Sequence, residues 1–262
     1  MLIFASFTPH TPLLIPNIGK ENLEHLSKTI KAIEKIEEDL AKAKPDTIII
    51  FSGHHSFLTD HFIINFNAKY KGDFQEFSDL STELFFKGDL ILTNQIRDYI
   101  EDEVPLTLKS EENLEYGVIA PLFYLARNLP EVKIIPISYS LADKETHFKF
   151  GELLKNVIFE SDKRIAVIAA GDLSHTIDKD SPGGYSEQGA SYDQFLIDLL
   201  KNKDIKGILN IDNKIIEESK ECSYRSLLML LGVIHKLNYE VNILSYEHPF
   251  GVGYLTVNFN LK

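Results

Sequence analysis

IIIFSGHHSF (residues 48–57) decides the reading of this chain. The unbroken apolar run from Ile48 to Phe51 reads as a strand buried on both faces, which is what a parallel sheet covered by helices requires. A glycine and two histidines, His54 and His55, follow at once. Two other apolar runs end in the same way. SFTPHTPLLIP (6–16) carries His10, and IAVIAAGDLSHTI (165–177) carries His175. The loops at the carboxyl ends of parallel strands open into one crevice where ligands bind, so three strand-end imidazoles point to one shared site.

Working outward, apolar runs alternate with amphipathic stretches, the pattern of βαβ units around a mostly parallel central sheet flanked by helices, an α/β fold. Leu2 to Phe7 is a first strand. Between Lys20 and Lys44, Leu23, Leu26, Ile30, Ile33, Ile36 and Leu40 recur at helical spacing among charges, which predicts a long surface helix closed by Pro45. Residues 61–67 alternate like a strand with one wetter face. Residues 71–110 give little signal beyond a helix near 90–100. A helix over 118–129 leads to a strand over 132–138. A helix over 144–159, a strand over 164–170, and helices from Tyr192 and over 222–237 follow. Strands over 239–246 and 254–259 close the chain as a hairpin. With no linker-like stretch and no internal repeat, residues 1–262 read as a single domain.

Composition excludes several classes. The length of 262 residues and 44% hydrophobic content allow a sizeable buried core. The 39 acidic against 27 basic residues give a formal charge of −12, which argues against nucleic acid and anionic membrane as partners. The single cysteine, Cys222, permits no intrachain disulfide. MLIFASF lacks a basic flank and is too short to span a bilayer, so the expectation is a buried strand of a cytoplasmic protein.

Imidazole is the commonest side-chain ligand for borderline metals, and two histidines with one carboxylate form the open site of non-haem Fe(II) oxygenases. His10 and His54 stand on rigid strand ends, as such geometry needs. Each histidine alone also fits a strand cap, so spacing by itself leaves the site open. HExxH is absent, which turns the reading away from helix-borne zinc protease chemistry. Ser174 beside His175 lacks an orienting third group, so a serine hydrolase is not indicated.

Four segments taken together are more specific: PHTPLLIPNIGK (9–20), KPDTIIIFSGHH (44–55), AAGDLSH (169–175), and ECSYRSLLMLLG (221–232) with LSYEHPFGVGY (244–254). In this order they resemble the class III extradiol ring-cleavage dioxygenases, the LigB-like superfamily that includes Memo-like proteins. The resemblance implies one α/β domain with a mononuclear Fe(II) at the sheet edge, a small aromatic diol as substrate and dioxygen (O2) as co-substrate. It implies His10 and His54 as metal ligands. Glu221 is favoured as the third, since a hard carboxylate suits Fe(II), with adjacent Cys222 matching the Memo-like branch.

His175 resembles the family's acid/base histidine, and an imidazole near neutrality can take a proton from a catechol and return it. Where many members carry a histidine before glycine, this chain has Glu115, Tyr116, Gly117. Tyr116 donates a hydrogen bond but is a weak base, which puts the usual activity in question. Asp172 is expected to orient an imidazole or cap the following segment, and His55 to stand beside the metal ligands.

Two alternatives stay open. One is a Memo-like protein that acts through partners, such as a companion of a radical SAM enzyme, without ring cleavage. The other is a hydrolase with zinc or another divalent ion on the same ligands. The oligomeric state, a homo-oligomer included, stays open. PGGYSEQG (182–189) reads as a loop near the site that could act as a lid. Glu247 and His248 read as a turn, and His25, His61, His147 and His235 as surface residues.

Overall fold

The computed structural model describes residues 1–53 and 60–262. His54 and His55 lie outside the described residues, so their expected roles are carried no further on structural grounds. The chain opens with β1 (Leu2–Thr8), a short α1 (Pro16–Gly19), α2 (Ser27–Ala43) and β2 (Thr47–Ser52). β3 (Phe62–Asn65), β4 (Lys69–Phe74) and β5 (Asp79–Gly88) follow, then α3 (Leu90–Ile100), β6 (Leu106–Lys109), β7 (Asn113–Leu114), α4 (Tyr116–Leu125) and β8 (Lys133–Ser138). Next come α5 (Lys144–Glu160), β9 (Ile165–Ala170), α6 (Glu187–Lys201), α7 (Ile205–Leu209) and α8 (Asn213–Ser219). The chain ends with α9 (Tyr224–Ile234), β10 (Tyr239–Glu247) and β11 (Tyr254–Leu261).

The strands form one mixed, mostly parallel sheet in the order β10-β11-β1-β9-β2-β8-β5-β4-β7, with β3 beside β8 and β6 beside β3. Its centre, β1-β9-β2-β8, is parallel throughout. Side chains alternate between faces, so each strand feeds two cores. Ile49, Phe51, Ile135 and Val167 pack with α3, α5, α6 and α9 on one face, and Ile48, Ile50, Ile134 and Ile168 with α2 and α4 on the other. Burial on both faces is why these strands read as continuous apolar runs.

The terminal hairpin forms as expected, with Tyr239 opposite Leu261 and Glu247 opposite Tyr254. The predicted helix over 20–44 is a 3-10 turn at Lys20–Leu26 followed by α2, and Lys44 ends it in the left-handed region at φ 49°. The helix expected over 118–129 starts earlier, at Tyr116, and stops at Leu125. His147 is a correction: it is fully buried on α5, its ring edge-on to Phe62, with Nδ1 2.7 Å from the Asp143 carbonyl. A backbone acceptor and aromatic neighbours let an imidazole enter the core uncharged, and burial pulls its pKa down to about 4.

α9 is held against α5 by two facing glycines. A Cβ on Gly151 would lie 2.0 Å from the Met229 carbonyl oxygen, and one on Gly232 would lie 2.2 Å from the Phe148 carbonyl oxygen. Both obstacles are backbone, which cannot step aside as a side-chain tip can. Gly151→Ala is therefore expected to lower the unfolding free energy by about 1–3 kcal/mol or more, read by urea denaturation. A change within a few tenths would show that the two helices have room to part.

Candidate metal centre

Strand register builds the site. In the β1–β9 pair Thr8 stands opposite Ala170, so His10 and Asp172, each two residues further on, leave the sheet edge side by side. The His10 amide donates to Asp172 Oδ1 at 3.0 Å. Gly171 lets α9 close over them: a Cβ there would stand 2.5 Å from Ser223 Cα and 3.0 Å from the Cys222 carbonyl oxygen. Cys222 thus meets the strand end. Its Sγ lies 3.2 Å from His10 Nε2, and the Asp172 amide donates to it at 3.3 Å. His10, Asp172 and Cys222 bring one nitrogen, one oxygen and one sulfur donor within 4.8 Å of one another, the one such group found among the described residues.

Adjacent residues at the start of a helix point different ways, and this separates Glu221 from Cys222. Glu221 Oε2 accepts the amides of Ser223 at 2.6 Å and Tyr224 at 2.5 Å, together with the Ser223 hydroxyl at 3.3 Å. It caps the first turn of α9, where free N–H groups and the helix dipole favour a carboxylate. Burial pushes its pKa up against those hydrogen bonds. Glu221, expected as the third ligand, is thus engaged with the helix, and Cys222 is the residue that faces His10.

A cavity of about 410 Å³ opens beside His10, lined also by Tyr116, Asp172, His175, Asp180, Phe250 and Tyr254. His175 therefore shares the cavity with His10, as expected. Its amide is tied to the Ser219 carbonyl at 2.8 Å, and burial lowers its pKa, so the imidazole is neutral near neutral pH. Tyr116 packs edge-on to His10, with centroids 6.0 Å apart, and burial raises its hydroxyl. Asp172 is buried, and its pKa rises to about 7 against the pull of the His10 and Thr11 amides. Burial also drives the Cys222 thiol well above its usual range, and the Asp172 carboxylate adds to this.

The remaining expectations resolve locally. Ser174 Oγ is bonded to the Ser219 carbonyl at 3.2 Å and to Thr176 Oγ1 at 3.2 Å, which engages it away from the His175 ring. In the 182–189 segment, Pro182 lines the cavity and the Gly183 amide donates to the His175 carbonyl at 2.9 Å. Glu247 receives the Thr29 amide and hydroxyl at 2.8 and 2.7 Å, away from the donor cluster. Sequence reading missed Glu115, although the Glu-Tyr-Gly stretch drew attention to its neighbour. Both carboxylate oxygens of Glu115 are buried without an ordinary hydrogen bond among the described residues.

The sequence profile of the family described as "Catalytic LigB subunit of aromatic ring-opening dioxygenase" matches residues 4–257. The chain belongs to this family. It is similar to a protein of Clostridium acetobutylicum, 29% identical over 94% of this chain and 55% of that protein. It is similar to a MEMO1 family protein of Methanosarcina mazei, 31% identical over 57% of this chain and 51% of the relative. It is also similar to a 2,3-dihydroxyphenylpropionate/2,3-dihydroxicinnamic acid 1,2-dioxygenase of Xanthobacter autotrophicus, 26% identical over 67% and 57%. The chain thus spans about half the length of these curated relatives. An uncharacterized protein from Escherichia coli K12 shares the fold, with a TM-score of 0.68 and 17% identity, over 98% of this chain and 99% of that one. No helix among the described residues is long and apolar enough to cross a membrane.

Glu115 lines a separate cavity that shares Tyr116 with the one beside His10, and it carries a measurable electrostatic signature. Burial raises its carboxyl from 4.5 to about 8, against the opposing pull of the Ser52 hydroxyl. Between those values the folded chain keeps a proton that the unfolded chain has lost, so the stability it contributes is present at low pH and lost as pH rises. Glu115→Gln should therefore gain stability relative to the parent chain between about pH 5 and about pH 8 in urea unfolding series. A constant difference across that range would place Glu115 in a polar, ionised setting instead.

Proposed function

We propose that this chain is a Memo-like metal-binding member of the LigB family, with His10 and Cys222 as protein ligands of one borderline divalent ion and Asp172 beside them. The observation that carries this reading is the 3.2 Å approach of His10 Nε2 to Cys222 Sγ while Glu221 is held by the amides of α9. Nitrogen and sulfur ligands of one tetrahedral ion stand roughly 3.5 Å apart, so the pair needs little adjustment. A thiol buried against a carboxylate holds its proton unless a cation offsets the charge, and a bound cation does that. In this proposal His54 supplies a second imidazole, by the family resemblance alone. Thiolate and imidazole together suit zinc, iron or copper better than magnesium or calcium.

When bound, the ion would act as a Lewis acid toward an oxygen-bearing ligand in the cavity. The chain supplies the rest. Asp172 fixes the His10 backbone through its amide, Tyr116 packs against the His10 ring, and neutral His175 can accept a proton from a ligand hydroxyl. In keeping with the Memo-like reading, the site acts within a larger assembly, a radical SAM enzyme being one such partner, and does not open aromatic rings.

Extradiol ring opening by an Fe(II) centre is the second reading, favoured by the presence of His175 in the same cavity as His10. Against it stand the engagement of Glu221 by the α9 amides and a described lining without lysine or arginine. The Xanthobacter relative is named for phenylpropionate and cinnamic acid substrates. A cavity bearing Asp180 and no cation gives their carboxylate nothing to pair with.

Metal analysis of protein purified anaerobically and loaded in turn with Fe(II), Zn(II) and Cu(I) separates the readings. His10→Ala and Cys222→Ala are expected to lose at least tenfold in metal affinity, whereas Glu221→Gln and His175→Ala keep the metal. Glu221→Gln should cost about 1 kcal/mol of stability through the weakened cap. Oxygen uptake by the Fe(II)-loaded parent on a catechol panel should be absent. Uptake, or metal retained by Cys222→Ala and lost by Glu221→Gln, would overturn the proposal in favour of the dioxygenase.

A further inference from the structure

Arg225, the second residue of α9, differs from the other arginines of the chain in its partners. Arg97 and Arg127 each reach a carboxylate, and Arg164 donates to the carbonyls of Ala43 and Lys44. Arg225 is half-buried with its guanidinium over the Tyr139 ring, 5.7 Å from the centroid, and it makes no hydrogen bond or ion pair among the described residues. The Tyr139 ring is itself fixed. It is buried, its hydroxyl donates to the Cys222 carbonyl at 3.4 Å, and it packs edge-on to His147 at 6.2 Å. A guanidinium resting on an aromatic face is held in place while its N–H donors stay free to bind something else.

A cavity of about 480 Å³ opens beside Arg225, within the range that suits a small organic molecule. It shares no lining residue with the cavity next to His10. Its walls are tied down. The Tyr224 hydroxyl donates to the Ile208 carbonyl at 2.6 Å, and the Lys144 ammonium, the second cation of the lining, donates to the Ile211 carbonyl. Leu141 and Ile216 add apolar surface.

The lining also carries carboxylates, and their placement limits the charge a ligand can bring. Asp143 Oδ1 accepts the Thr146 amide at 2.8 Å as the cap of α5. Glu145 and Glu217 are exposed, and among the described residues neither pairs with Arg225 or Lys144. Exposed carboxylates are screened by water, so they leave the half-buried guanidinium uncompensated but repel a ligand of high negative charge. One negative charge is therefore favoured over two. A planar carboxylate matches the fork of a guanidinium, with two parallel N–H···O bonds.

We infer that this second cavity binds a small aliphatic monocarboxylate, its carboxylate paired with the Arg225 guanidinium and its hydrocarbon chain against Leu141 and Ile216. The ion pair forms on a cation already half withdrawn from water, where it is worth more than at the open surface. The apolar chain adds the gain of leaving water. The site is independent of the proposed metal centre, since the two cavities have separate linings.

NMR chemical-shift titration of the full chain with hexanoate, acetate, inorganic phosphate and hexylamine tests it. Hexanoate is expected to bind with a Kd of about 1 mM or tighter, acetate and phosphate at least fivefold more weakly, and hexylamine not at all. Arg225→Gln should weaken hexanoate at least tenfold and Arg225→Lys should recover part of that loss. Leu141→Ala, a change at an exposed side chain, should weaken hexanoate severalfold and leave acetate unchanged. Melting temperatures report folding separately, and if Arg225→Gln does not fold, Arg225→Lys and Leu141→Ala carry the test. No binding of hexanoate, equal binding by the parent and a folded Arg225→Gln, phosphate or hexylamine bound as tightly as hexanoate, or hexanoate and acetate weakened alike by Leu141→Ala would each overturn the inference. Chelator-treated protein should bind hexanoate as the metal-loaded protein does. Binding lost with the metal would place the carboxylate on the ion and overturn the second site, whereas failure of the metal reading is seen separately, in metal content.

Discussion

The approach of α9 to the β9 strand end depends on Gly171 having no side chain. A methyl group there would stand 2.5 Å from Ser223 Cα, which is backbone and has nowhere to go. That contact lets Cys222 reach both the Asp172 backbone and the His10 ring, and lets Glu221 close the first turn of the helix. The β1–β9 register then decides what the helix meets. Because Thr8 pairs with Ala170, the two residues that emerge together are His10 and Asp172. A slip of β1 by one residue would turn His10 to the opposite face and part it from Asp172.

Burial is the second organising force, and it works against the charges collected at this edge. Asp172 and Glu115 are raised to about 7 and about 8, and Asp193 to about 7, in each case chiefly because they are removed from water. Asp193 receives the Ser174 amide at 2.9 Å and the Tyr246 hydroxyl at 2.8 Å, which fixes the segment carrying His175. At the β9 end Asp172 and the Cys222 thiol stand together, and burial holds both toward their protonated forms.

The central strands were legible because burial on both faces leaves unbroken apolar runs, and the histidines were legible because strand ends aim at a common edge. The 69–114 region was not. β5 has one buried residue, and β4 alternates in burial but with a glycine, Gly72, at one inward position, which breaks the apolar signal in the sequence. His147 was misplaced because a lone histidine carries no sign that a backbone carbonyl waits for it. The choice between Glu221 and Cys222 could not be read either. Two consecutive residues differ by about 100° around a helix start, and only the cap geometry tells which one turns inward. Residues 54–59, where His54 and His55 fall, lie outside the described structure, so the resemblance alone speaks for those two.

The chain belongs to the LigB family, and what separates the proposed Memo-like reading from ring opening is Cys222 as a metal ligand beside His10. X-ray absorption on the metal-loaded chain tests that distinction most directly. A sulfur atom in the first shell, at about 2.3 Å from zinc, is the expected result. A shell of nitrogen and oxygen alone would contradict it and return the site to two imidazoles and a carboxylate.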